Sequence, residues 1–342
     1  MNKSSARDIF LGAVRGERTS RPAVATVDQS ATFEQMDALD VRWPDAHMDA
    51  DLMARLAIGA YSILGFDAVK VPFCQTIEQE ALGCTVNMGD DQNLPSVAKH
   101  PYDLASESVQ DPVFPEDFLR RARVPVLIEA VKIVKKEVGD KVAVIGGIIG
   151  PFSIVAAMVG IKQCFRNVVK SPARLQPFLE VAVRCGVELA GALADAGADA
   201  ICIEDMMASV SMISPRCYSA SVVPYESELI GKIRVPTILH ICGVVDSIIK
   251  DMISTGATAI SFEPKTDINA VKMAVEEAGR KVGLIGGVDA LDHLFYGKPG
   301  AVREAALLGR ELGYSVIAPS CSIPPATATD NLREMVEAVK SN

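Results

Sequence analysis

A chain of 342 residues, 49% apolar and 23% charged, can bury a sizeable core and is not a disordered protein. Its formal charge of −9, with no block of Lys or Arg, argues against a nucleic-acid partner. Eight cysteines in so long and aromatic-poor a chain do not describe a disulfide-stapled secreted module. No apolar leader opens the sequence, and no run of about 18 uncharged apolar residues follows. A soluble, reduced, cytoplasmic protein with no membrane partner is expected.

In chain order, short β-branched runs alternate with longer amphipathic ones. The first strand is expected at 22–27, followed by a helix-period segment at 51–64 that ends in Gly65. A second strand falls at 68–73 and a third at 141–145, before a long helix over 173–196 closed by Gly197. The fourth strand, 200–203, and the fifth, 237–241, lead to a helix at 245–254 and Gly256. The sixth strand at 259–262 precedes a helix at 269–278 with Gly279. The seventh, 282–285, precedes a helix at 302–312 with Gly313, and the eighth is 315–318. Each strand is a near-continuous apolar run, as burial on both faces requires, and the glycines stand where helices end.

Eight such strands joined by helical crossovers predict an α/β fold, a (β/α)8 TIM-type barrel in one domain over 1–342. An insertion is expected between strands two and three, at 83–115, opening with a polar β-excursion at 83–97. The competing doubly wound sheet usually shows GxGxxG after its first strand. Val27-Asp28-Gln29-Ser30 is nothing like it.

Barrel active sites gather at the carboxyl ends of the strands. The fifth strand ends in His240-Ile241-Cys242-Gly243, the sixth in Glu263-Pro264, the seventh in Gly286-Gly287-Val288-Asp289, and the eighth in Pro319-Ser320-Cys321-Ser322. Neighbouring strand ends thus bring one imidazole, one carboxylate and two thiols to one mouth. Zinc suits that set, since it takes nitrogen and sulfur ligands and keeps an exchangeable fourth position in catalytic sites. The i, i+2 spacing of His240 and Cys242 puts both side chains on one side of an extended segment, and folding must supply Cys321. Cys164, Cys185 and Cys202 are expected as small buried hydrophobes, with Cys74 and Cys84 structural. His47, His100 and His293 are expected at the surface.

The arrangement His240-x-Cys242…Cys321 resembles the zinc motif of the methylcobamide:coenzyme M methyltransferases of methylotrophic methanogens, which belong to the uroporphyrinogen decarboxylase superfamily, a barrel fold. The similarity runs through nearly the whole chain. It includes the second strand through Phe73, the Gly83-Cys84 turn with Gln92, Pro95, Ser96 and Val97, Gly150-Pro151-Phe152, and Ser214-Pro215 with Pro224-Tyr225. After the first strand, the Arg-rich segment with which decarboxylases bind porphyrin carboxylates is missing.

The resemblance implies a methyltransferase with bound Zn2+, a methylcobamide donor carried on a separate corrinoid protein, and coenzyme M as thiol acceptor, in methanogenesis from methanol or methylamines. A uroporphyrinogen decarboxylase-type lyase and a non-catalytic corrinoid-protein partner are the competing expectations. The implied metal set is His240, Cys242 and Cys321. Glu263 would be a fourth ligand or catalytic base, against a dipole or ion-pair role at its strand end. The sulfonate of coenzyme M could be held by backbone amides at Gly286 and Gly287, or at Gly146 and Gly147, and by the Ser320 and Ser322 hydroxyls. Double glycines serve backbone packing as well. Asp205 and Ser209 lie in the superfamily's substrate-facing segment.

Overall fold

Apolar runs buried on both faces pair here as parallel strands, with helices packed outside them. In this computed structural model, residues 4–28, 31–106 and 109–341 are described. Gln29 and Ser30 lie outside the described residues, as do the two residues 107–108 of the expected insertion. The strands are β1 (Ala23–Val24), β2 (Ala68–Val71), β3 (Thr85–Asn87), β4 (Ser96–Lys99), β5 (Ala143–Ile149), β6 (Ala200–Glu204), β7 (Thr237–His240), β8 (Ala259–Ser261), β9 (Gly283–Val288) and β10 (Val316–Pro319).

Eight of them form one parallel sheet in the order β1-β10-β9-β8-β7-β6-β5-β2. Its two ends meet through Asp67. The Asp67 N–H donates to the Val24 carbonyl at 2.8 Å, and the Val24 N–H donates to the Asp67 carboxylate at 2.9 Å. Arg21 grips that buried carboxylate with two bonds of 2.7 and 2.9 Å, and Lys340 adds a third cationic contact. The sheet is therefore the expected barrel, nearly closed. β3 and β4 form a separate antiparallel pair between β2 and β5 in the chain.

The helices follow the amphipathic runs within a few residues: Ala50–Ser62, Gln176–Ala196, Ile268–Glu277 and Pro299–Glu311. The run expected as a helix at 245–254 begins later, with a tight turn over Asp246–Ile248 before Ile249–Ser254. Gly197 shows why glycine ends such helices: its φ of 111° is a left-handed conformation that L side chains rarely adopt. No single helix among the described residues is long and apolar enough to cross a membrane.

Two strands run further than their apolar runs suggest. β5 continues through Gly146-Gly147 to Ile149. A Cβ on Gly147 would come within 2.5 Å of Lys70 Cε, so this glycine makes room for a lysine inside the barrel. β9 continues through Gly286 and Gly287, whose φ angles are 145° and 100°. One histidine corrects expectation: His47 is fully buried and stacked on Trp43 at 5.5 Å, not at the surface. Burial drives its imidazole down to about 3, so it stays neutral there.

Candidate metal centre

β7 ends at His240, and the chain turns sharply at Gly243, so His240 and Cys242 both present their side chains to the barrel mouth. β10 ends at Pro319 and delivers Cys321 two residues later. The Cys242 sulfur lies 3.4 Å from His240 Nε2 and 3.5 Å from the Cys321 sulfur. The three donor atoms all fall within 4.8 Å of one another. Two sulfurs and one imidazole nitrogen at this separation suit a tetrahedral zinc, whose bonds of about 2.0–2.3 Å put neighbouring ligand atoms roughly 3.3–3.8 Å apart. The donor set fits the metal.

The other His240 nitrogen, Nδ1, meets the Ser261 hydroxyl at 3.0 Å on the neighbouring β8. That contact fixes the ring so that Nε2 faces the thiols, as a metal-binding imidazole requires. The loop behind Cys242 is also pinned. The Ser209 hydroxyl donates to the Cys242 carbonyl at 2.8 Å, and the Gly243 N–H donates to Glu263 Oε1 at 2.7 Å.

A carboxylate not among the expected site residues reaches the cluster from the segment that follows β1. Asp28, 2% exposed, places Oδ2 at 3.2 Å from His240 Nε2, and the Cys321 thiol approaches the same oxygen at 3.7 Å. Beneath it lies a buried ion pair, Lys70 on β2 with Glu204 on β6, each 1% exposed. Gln75 donates to Glu204 at 2.7 Å.

These neighbours set the protonation of the metal-free site. Burial alone would lower His240, but Asp28 and Cys321 reverse it and hold the imidazole up at about 9. The hydrogen bond from Cys242, with His240 beside it, brings the Cys321 thiol down to about 6 against the effect of burial. Cys242, which keeps the shared proton, is pushed far up by that same contact and by burial. Burial raises Glu204 to about 8 against the pull of Lys70. Metal ligation must displace the protons held on His240 and Cys242.

The structure thus brings His240, Cys242 and Cys321 together and leaves Glu263 outside the converging set, with one oxygen on the Gly243 amide. Ser209 adjoins the centre. Asp205 is committed elsewhere: its carboxylate accepts from the Phe152 and Ser153 amides at 3.1 and 2.8 Å and from the Ser153 hydroxyl at 2.6 Å, capping the helix Pro151–Val159. The Ser320 hydroxyl accepts from the Ala290 amide at 3.0 Å. Gly286 lets the β9 backbone pass the Phe262 carbonyl, which a Cβ would meet at 2.5 Å. Gly287 lines a cavity of 430 Å³ with Tyr314 and with Ala305 and Leu308 of the helix Pro299–Glu311, on the outer side of the strand. All eight cysteines are free thiols.

Residues 5–342 match the uroporphyrinogen decarboxylase (URO-D) family. The chain is 32% identical over 338 residues to the methylcobamide:CoM methyltransferase MtaA of Methanosarcina barkeri (strain Fusaro / DSM 804), covering 99% of this chain and 98% of that protein. It is 32% identical over 345 residues to the methylcobamide:CoM methyltransferase MtbA of Methanosarcina acetivorans, covering 100% and 99%. Among solved structures, a methyltransferase from Methanosarcina mazei superposes with a TM-score of 0.91 at 33% identity, covering 98% of each chain. Matched end to end in sequence and in fold, the chain belongs to the uroporphyrinogen decarboxylase family, among its methylcobamide:CoM methyltransferases, and is a methyltransferase.

Proposed function

We propose that this protein moves a methyl group from a methylated corrinoid, presented by a separate corrinoid protein, to the thiol of coenzyme M, with zinc held by His240, Cys242 and Cys321. The observation that carries the reading is the convergence of two thiols and one imidazole at the barrel mouth. The names of the relatives supply the donor and the acceptor. When bound, zinc supplies the Lewis acidity that keeps a substrate thiol deprotonated at neutral pH.

The residues of the chain do the rest. Cys242 and Cys321 bring two negative charges, so the centre is formally neutral before the substrate thiolate arrives and that sulfur stays electron-rich. Ser261 orients the His240 ring. Ser209 and Glu263 fix the turn that carries Cys242 through its carbonyl and through the next amide, which makes Glu263 a positioning residue in this reading. The thiolate sulfur bonds to the methyl carbon while the cobalt–carbon bond breaks, and both electrons of that bond remain on cobalt as Co(I). The setting is a reduced cytoplasm, with the methyl group drawn from methanol or methylamines by the corrinoid partner. A decarboxylase needs no two thiols and an imidazole converging at the mouth, and thiol-dependent turnover separates the enzyme from a non-catalytic zinc-holding partner.

The test is anaerobic spectrophotometry of the zinc-loaded protein with methylcobalamin as donor. Adding coenzyme M is expected to convert the methyl-Co(III) spectrum to that of Co(I), with methylated thiol formed in equal amount. A methylcobalamin spectrum that does not respond to the thiol would overturn the reading.

A further inference from the structure

One face of this acidic molecule carries positive charge that nothing neutralises. Residues 141–179 contain no Asp or Glu, where 43 acids in 342 residues would ordinarily place about five. The helix Ile161–Lys170 and the tight turn Pro172–Leu175 lie in this stretch and carry Lys162, Arg166, Lys170 and Arg174, a cation at every fourth position. That spacing sets Lys162, Arg166 and Lys170 on one side of the helix, about 6 Å apart along its axis. Cys164, Asn167 and Val168 fill the opposite, buried side, and all four cations are exposed.

Surface cations elsewhere are paired: Lys132 meets Glu129, Lys232 meets Glu228 and Lys250 meets Glu277. Among the described residues, none of Lys162, Arg166, Lys170 and Arg174 has an ion-pair partner. Arg166, Lys170 and Arg174 instead line an open cleft of 220 Å³ with Gln163 and Asn167. Asp103 is an acid on this face, beside Lys162, and its carboxylate accepts from the Ala105 amide at 2.9 Å. The helix Pro215–Ser221 packs alongside and adds the exposed Arg216, from a second acid-free stretch at 206–225.

The stripe starts at the barrel mouth. Ile161 lines a cavity with Gln75, Ser153 and Met206, which follow the carboxyl ends of β2, β5 and β6. Ile161 and Val169, 49% and 68% exposed, set apolar contact area among the cations. Unpaired charges interleaved with apolar side chains, running outward from the mouth, suit a folded protein seated over it. A nucleic acid or a membrane would extend past the stripe onto the remainder of a molecule with a net charge of −9.

The geometry points to the helix Ile161–Lys170 and the turn after it as the docking face for an acidic protein surface, that of the corrinoid protein which brings the methyl donor to the mouth. This rests on the methyl-transfer reading above. The cations steer the partner and set its register, because screening over about 8–10 Å lets the local field outweigh the net charge of the molecule. They take no part in the chemistry at the metal centre.

The zinc-loaded protein is assayed with coenzyme M and two donors in parallel, a methylated corrinoid protein and free methylcobalamin. Arg166→Glu/Lys170→Glu is expected to lower kcat/KM for the protein-bound donor about 10–100-fold at low ionic strength, the gap closing in about 0.5 M salt. Free methylcobalamin should be demethylated at the wild-type rate. Lys132→Glu/Lys136→Glu makes the same change in net charge on the exposed side of the helix Val124–Val138 and should leave both donors near wild-type values. Far-UV circular dichroism checks folding, and the neutral pair Arg166→Gln/Lys170→Gln keeps the test open if the reversed pair does not fold.

A loss no greater than that of the Lys132/Lys136 pair, or an equal loss with free methylcobalamin, overturns the docking face while leaving the methyl transfer standing. Wild-type binding to phosphatidylserine vesicles that the reversed pair abolishes, with demethylation of the protein-bound donor unchanged, would give the stripe to a membrane instead. A wild-type protein that demethylates neither donor fails the methyl-transfer reading itself, and the docking face falls with it.

Discussion

Cys242→Ala is expected to cost zinc affinity roughly 1,000-fold, about 4 kcal/mol, and to abolish thiol-dependent demethylation of the corrinoid. The size follows from the make-up of the centre. Cys242 is in contact with both other donors, so its loss leaves one thiolate and one imidazole, too few to hold a metal against dilution. Elemental analysis after gel filtration should find about one zinc per wild-type chain and essentially none in the variant. Cys202→Ala is the contrast. Cys202 is fully buried within β6, where burial drives its thiol far up, so its replacement should leave the zinc content unchanged. A Cys242→Ala protein that keeps its zinc would remove the centre from the account.

Lys70→Met is expected to lower the stability by about 3–5 kcal/mol, which is large for a side chain that touches no substrate. Lys70 and Glu204 are each 1% exposed and paired across the barrel interior. Burial alone would lower the lysine, but Glu204 and Asp28 more than offset that and raise it. Removing the ammonium leaves Glu204 and Asp28 facing each other without it. Urea unfolding should show the midpoint falling by about 1–2 M. Lys70→Met/Glu204→Gln should recover most of the loss, because the Gln keeps a partner for Gln75 and carries no charge. A double variant no more stable than the single one would mean that packing, not charge, is what Lys70 supplies.

Much of the fold is legible in the sequence. A strand buried on both faces has to be a short apolar run, and five of the helix-ending glycines, Gly65, Gly197, Gly256, Gly279 and Gly313, all have positive φ. The strand limits were harder to read. β5 and β9 continue through paired glycines, which read as breaks in a sequence but serve close packing here, against Lys70 at Gly147 and against the Phe262 carbonyl at Gly286.

In the metal centre, His240, Cys242 and Cys321 could be picked out because each follows a strand that ends at the mouth. Ser261 was not apparent, since a hydroxyl within an apolar strand does not reveal that it faces an imidazole on the next one. Asp28 was missed for a different reason. It lies four residues beyond β1, whereas the expected metal ligands all come from the ends of strands five to eight. Closure of the barrel makes the first strand the neighbour of the last, which is the signal that could have found it. Lys70 and Glu204, each a lone charge in an otherwise apolar strand, carried a similar signal as a complementary pair. His47 follows a polar stretch, and only the three-dimensional packing against Trp43 buries it.

Zinc-edge X-ray absorption of the loaded protein, before and after coenzyme M, tests the central claim most directly. The account predicts two sulfur neighbours at about 2.3 Å in the resting protein and three once the thiol is bound, with the nitrogen retained. A count that stays at two in the presence of saturating thiol would contradict it.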